Sequence, residues 1–336
     1  MRPGPLNLIT DVAGLAVGHA TDERAATGIT TLIGARPLAA AVDVRGGAPG
    51  VRETDALAPD ALVGHAHAIV LAGGSVFGLA AADGVATELS RAGVGFRLTE
   101  HAHATPIVPA AVLHDLGHGG DKNWSEPPYQ RLGRESLTAA GTRFALGAVG
   151  AGRGARAGQL AGGIGSASLD LGDGLVVGAL VAVNSIGSAQ MPDGRTFWAW
   201  PFEIDAEFGG ERPRADVSAV DPAPADSRLA LIGQLRAGTS TVIGIVATSA
   251  PLTGPECRRL AVMAHDGIAR GVRPSHTPFD GDVIFAVATG TALLAEDRLR
   301  AAHVARLGSA AADCMARAIA RGVYEANRPL RRATGR

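Results

Sequence analysis

The chain reads as short apolar runs cut by glycine, with longer mixed stretches at helical spacing between some of them. Residues 29–35 (ITTLIGA), 38–44 (LAAAVDV) and 67–74 (HAIVLAGG) have the length and β-branched content of strands. Residues 79–93 place apolar positions three and four apart before a glycine stop, which predicts a helix. Residues 105–116 read as an extended stretch entering an apolar element, and the Ala-rich residues 132–148 as a helix. Residues 153–187 read as glycine-punctuated hairpin strands ending in the run LVVGALVAVN. Residues 205–228 then break the pattern with acids, Arg, Pro, Gly and Ser and few large apolar side chains, the composition of an exposed linker extending to about 236. Beyond it come a strand (239–250), a helix opened by Pro255 (255–272) and a strand (283–290). A last helix (301–326) is expected to break near Gly308, with a disordered tail from 327. Strands lie in both halves with helices after several of them, so the class is α/β or α+β.

Composition narrows the picture. The 336 residues are 46% hydrophobic but only 4% aromatic, so the core is built from Ala, Val, Leu and Ile. A formal net charge of −1 argues against a nucleic-acid partner, which needs a basic face. Cys257 and Cys314 stand far apart and outside any C-x-x-C pair, so they read as buried apolar residues in a reducing compartment. The N-terminal residues lack the build of a signal peptide and no run suits a membrane span; a soluble, cytoplasmic protein is expected. His65, His67, His101, His103, His114 and His118 crowd the first half, yet such residues are more often surface polar positions than ligands, and no metal site is expected. Lys122 is the single lysine, so no mechanism needing a second is open to this chain.

The chemistry concentrates around residues 238–248, GTSTVIGIVAT, where three hydroxyls open a strand just after the linker. A threonine there is ordinarily a good strand former. The alternative is that the Thr241 hydroxyl attacks the carbonyl of Ser240, cuts the chain by an N-to-O acyl shift, and then works beside its own freed α-amine, whose pKa of roughly 7.7–8.0 suits a general base. Asp280 and Asp282, flanking Gly281, read either as a solvated turn or as carboxylates held near Thr241. Asn184 either caps a turn or donates to an oxyanion. The turn around Gly74, Ser75 and Phe77 offers backbone N–H groups for an oxyanion or a phosphate, though G-x-G-x-x-G spacing and a Walker lysine are missing.

Together the stretches ITDVAGLAVGH, VDVRGGAPGVRETD, LAGGSVFGLAAADGV, TPIVPAAVLHDL, GRGARAG, VAVNSIG, STVIGIVAT and HDGIARGVRPSHTPFDGDVIFAVATG resemble the L-aminopeptidase/D-esterase hydrolases, which include β-peptidyl aminopeptidases and nylon-oligomer hydrolases. They cover most of residues 8–290 in order. The resemblance implies a layered α/β/β/α fold and self-cleavage into an α portion (1–240) and a β portion (241–336) that stay together as one catalytic domain. It further implies Thr241 as nucleophile after Ser240, Asn184 in the oxyanion hole, Asp280 and Asp282 near the nucleophile, no cofactor, and a homo-oligomer of processed protomers. Three positions depart from the family pattern: Ser240 stands where Asn or Gly is usual, Phe77 where Tyr is common, and Gln159 where the nylon-oligomer hydrolases carry lysine. The expected activity is hydrolysis of peptides, amino-acid amides or oligoamides. The alternatives are an acyltransferase of the ornithine acetyltransferase type and a non-catalytic binding protein on the same scaffold.

Overall fold

Apolar runs with no polar face need cover on both sides, and the fold supplies it. The computed structural model describes residues 1–97, 99–214, 221–222, 224–229, 240–294 and 298–334. Its strands are β1 (Leu15–Asp22), β2 (Thr27–Val44), β3 (Val51–Arg52), β4 (His65–Ala72), β5 (Ala110–Val112), β6 (Arg156–Ala157), β7 (Leu160–Ala161), β8 (Gly163–Asp170), β9 (Val176–Asn184), β10 (Thr241–Thr248) and β11 (Val283–Ala288). Its α-helices are α1 (Ala81–Arg91), α2 (Tyr129–Thr138), α3 (Gly254–Gly271) and α4 (Arg300–Thr334). The main hydrogen-bonded path runs β3-β5-β4-β2-β11-β10-β9-β8, with β1 on β2 and a separate β6-β7 hairpin.

The two predicted strands at 29–35 and 38–44 are one long strand, β2. Its first half pairs with β1 and β4, its second with β11, and the register shifts between Ile33 and Leu38, around Pro37. Two sheet layers thus share a strand. Alternation along the strands shows which face is which. In β10, Ile243, Ile245 and Ala247 meet Ile69 and Leu71 of β4 in the core between the sheets, while Val242 and Val246 point to α3 and α4. In β4, Ala68, Val70 and Ala72 point the other way, to α1 and α2. Three apolar layers between four structural ones make the fold α/β/β/α, as the resemblance implied.

Four expectations change. The Ala-rich helix stops at Thr138, because residues 141–147 bridge strand edges instead, Gly141 to Val17 and Gly147 to Ile164. Helix α4 runs through Gly308 without a break. A Cβ at Gly308 would lie 2.3 Å from Met263 Sδ, and one at Gly267 2.3 Å from the Ala312 carbonyl oxygen, so these glycines let α3 and α4 approach closely. The tail is helical to Thr334, and residues 335–336 lie outside the described residues.

The stretch read as an exposed linker is anchored at both ends. Phe208 is buried against Phe197, and Glu207 pairs with the buried Arg317. Ser227 is buried, and the Arg228 amide donates to the Ile186 carbonyl. Glu207 and Arg228 are spent on buried partners, which composition cannot reveal. Residues 215–220, 223 and 230–239 of that stretch lie outside the described residues. Cys257 and Cys314 are buried thiols pushed up to about 12 by burial. No described helix is long and apolar enough to cross a membrane.

Candidate active site

Three neighbouring strand ends assemble the site. Thr241, the first residue of β10, lies opposite Asn184, the last residue of antiparallel β9. On the other side β11 runs parallel to β10, and Ser240 bridges Asp280 just before it. Residues 57 or 40 positions apart in sequence therefore meet in one row, as strand register demands. All four, with Asp282, are 2% exposed or less.

The carbonyl oxygen of Ser240 accepts the Gly281 N–H at 2.8 Å and the Thr241 hydroxyl at 2.5 Å. Gly281 has no room for a side chain: a Cβ would stand 2.7 Å from the Ala48 oxygen and 2.9 Å from Thr241 Oγ1. The VDVRGGAPG segment clamps the acidic block from outside, with the Arg45 and Gly46 amides on the Asp282 carbonyl and the Ala48 amide on that of Asp280.

The two carboxylates are held differently. Asp282 accepts the Val242 N–H at 2.7 Å through one oxygen, and the His276 N–H (3.1 Å) and Nδ1 (2.7 Å) through the other. Asp280 accepts the Thr277 N–H and hydroxyl on one oxygen, with the Ile186 N–H 3.4 Å from the second. Burial, and then the charge of Asp282, push Asp280 up to about 6. Beside them Arg228 donates to the carbonyls of Asn184 and Ser185 at 2.8 and 2.9 Å, and burial lowers it to about 10. The Asn184 side chain is fixed at both ends: Oδ1 accepts the Arg156 N–H and Nδ2 donates to the His114 carbonyl.

A cavity of about 250 Å³ opens on Thr241, walled by Pro49, Val76, Leu79 and Val112, with Ser75 and His114 among its polar edges. Ser75 of the predicted glycine turn thus faces the cavity. Its neighbour Gly74 is left-handed (φ 81) and packed under Tyr129, where any Cβ would collide, and its N–H is taken by Asp115. That amide is committed to the fold rather than open to an anion. Phe77 is half-exposed and not part of this lining, and Gln159 is exposed and donates to the Ala225 carbonyl. Neither is brought to Thr241.

His114, Arg228 and His276 are the site residues that sequence reasoning passed over. His114 reads only as one of the clustered first-half histidines, and Arg228 sits in the supposed linker. His276 was visible in the PSHTPFDGD block, six residues before Asp282, a spacing that a tight loop turns into contact. The other histidines have structural or surface roles: His67 Nδ1 accepts the Ile107 N–H, and His65, His101 and His103 are exposed. No group of three or more His, Cys, Asp or Glu among the described residues is placed to hold a metal.

Comparison with known proteins fits this architecture. A β-aminopeptidase from Burkholderia sp. superposes with a TM-score of 0.68 at 23% identity, covering 100% of this chain and 96% of its own. An L-aminopeptidase D-Ala-esterase/amidase from Ochrobactrum anthropi, described as a variant among the Ntn hydrolase fold, gives 0.66 at 20% identity with the same coverage. The fold is that of this class of hydrolases. Residues 7–334 match the model of peptidase family S58, and the chain belongs to that family as a hydrolase acting on amides. An uncharacterized aminopeptidase of Mycobacterium tuberculosis is 42% identical over 96% of this chain and 94% of its own. A 6-aminohexanoate-oligomer endohydrolase of Kocuria sp. is 32% identical over 83% and 74%.

Proposed function

We propose that the chain severs its own Ser240–Thr241 bond and then hydrolyses peptides, amino-acid amides or oligoamides through an acyl-enzyme on Thr241. The carrying observation is the Ser240 carbonyl, buried, held by the Gly281 N–H and touched by the Thr241 hydroxyl. Thr241 Oγ1 adds to the Ser240 carbonyl carbon, and the charge that builds on oxygen falls on a donor already in place, the arrangement that stabilises such intermediates by roughly 2.7–4 kcal/mol per donor. The hydroxyl proton passes, with Asp280 as shuttle, to the Thr241 nitrogen as the C–N bond breaks. Water then hydrolyses the ester, leaving a carboxylate on Ser240 and a free amine and hydroxyl on Thr241. In turnover that amine takes the hydroxyl proton, Thr241 attacks the substrate amide, and Asn184 Nδ2 donates to its oxyanion. Water releases the acyl group. The mature form is a homo-oligomer of αβ protomers acting in the cytoplasm.

Intact-mass measurement tests this. Wild type should run as two fragments broken after Ser240, and Thr241→Ala as one chain without amidase activity. An unbroken wild-type chain that hydrolyses amides would overturn the reading. Offering acetylornithine with glutamate beside a panel of peptide amides separates transfer from hydrolysis.

A further inference from the structure

We propose that His276 is a positioning residue of this site, fixing Asp282 as the standing anion so that Asp280 is left as the carboxyl that exchanges a proton during bond cleavage. The proposal rests on Thr241 being the nucleophile. One oxygen of Asp282 receives both the main-chain N–H of His276 at 3.1 Å and its Nδ1 at 2.7 Å. The carboxylate assigns the tautomer, since a carboxylate at that distance calls for a proton on Nδ1. His276 reaches that oxygen with both groups from a left-handed backbone, with φ 55. A non-glycine residue held there points to a constraint worth keeping.

Among the described residues, groups from several elements face the pair. From its own loop Asp280 faces Asp282, and from the stretch before β10 Arg228 lies toward Asp280, with Arg156 beyond it. From α3 the buried His265 packs edge-on against the His276 ring, centroids 5.0 Å apart. His265 in turn binds the Asp43 carbonyl of β2 through Nε2 at 3.0 Å, and Arg45 and Arg258 neutralise the Asp43 carboxylate. Burial holds His265 down at about 4, so it is neutral across the working range and adds no charge of its own. The two carboxylates, one with three N–H donors and the other buried beside it, form a pair whose environments separate acid from base.

Self-cleavage needs no added substrate, so it is the assay. The chain is made in a cell-free system, transferred to buffers from pH 4.5 to 8.5, and the rate of fragment appearance is followed by mass spectrometry. His276→Gly accepts the left-handed backbone but loses the imidazole; His276→Asn also tolerates it and keeps a side-chain N–H donor. Losing a donor to Asp282 destabilises the doubly ionised pair, so the acid limb of the rate profile moves to higher pH. In His276→Gly the limb should rise by about one pH unit, which is tenfold in rate on its slope. His276→Asn should return it to the wild-type position within threefold in rate, and melting curves report whether each variant is folded. A folded His276→Gly with the wild-type limb, or a folded His276→Asn with a raised one, overturns the proposal. A wild type that yields no fragments overturns the Thr241 reading instead.

Discussion

Replacing Asp280 by Asn should make the protein more stable at alkaline pH and barely so in acid. Asp280 titrates at about 6 in the fold against 3.8 when unperturbed, and it is 1% exposed. A folded-state pKa raised in this way means that stability is complete below about pH 3.8 and is lost as pH rises through 6. The gap of about two units costs about 3 kcal/mol at pH 8 and about 1 kcal/mol at pH 4.5. Asn keeps the carbonyl that Thr277 needs, through its N–H and hydroxyl, and cannot ionise. The advantage of Asp280→Asn over its parent should therefore grow by about 2 kcal/mol between pH 4.5 and 8. For 336 residues, at about 2.1 cal/mol/K each, that corresponds to about 3 °C in Tm. Both chains should carry Thr241→Ala so that neither can cut itself, and melting is then followed at the two pH values. An offset that does not change with pH would refute the reasoning, because Asp280 would then ionise as an ordinary carboxyl does. The cost is what a site retains when its chemistry needs a buried acid.

Two further substitutions probe the scaffold around the site. Gly281→Ala places a methyl 2.9 Å from Thr241 Oγ1 and 2.7 Å from the Ala48 oxygen, and should slow fragment formation at least about tenfold (about 1.4 kcal/mol in barrier) in an intact-mass time course. Arg317→Ala removes a guanidinium that binds Glu207, the Ser168 carbonyl and Asn7, leaving a buried carboxylate with the Asn7 amide at 2.6 Å and Arg321 at 3.4 Å. Its expected cost is about 3 kcal/mol, at the low end for a broken buried pair, or about 4 °C by calorimetry.

The strand framework was legible because strands covered on both faces leave continuous apolar runs, and β4, β9, β10 and β11 all do so. Thr241, Asn184, Asp280 and Asp282 were visible at the ends of such runs, where each alone reads as a strand former or a turn residue, and the family resemblance supplied their expected roles. Their meeting was not legible, since it depends on the antiparallel register of β9 on β10 and the parallel register of β11. The continuity of β2 was hidden by Pro37, which looks like a stop and marks an irregularity that the strand survives. The helix end at Thr138 was missed because alanine propensity is a weak term beside the strand-edge bridges made by Gly141 and Gly147. Arg228 and Glu207 were misjudged for a common reason. A charge in a Pro/Gly-rich stretch looks solvated until its buried partner, 43 or more residues away, is known.

Lys122, the lone lysine, donates its amine to the carbonyls of Ala25, Ala26 and Gly119 and so is tied down rather than waving in water. Reagents that acylate free amines near neutral pH therefore have few places to go on the uncut polypeptide. A chain broken ahead of Thr241 would gain a second α-amine beside that of the exposed Met1, so mild acylation would add a further group that the uncut chain cannot take. The scarcity of lysine thus turns a common labelling chemistry into a counter of how many molecules have matured.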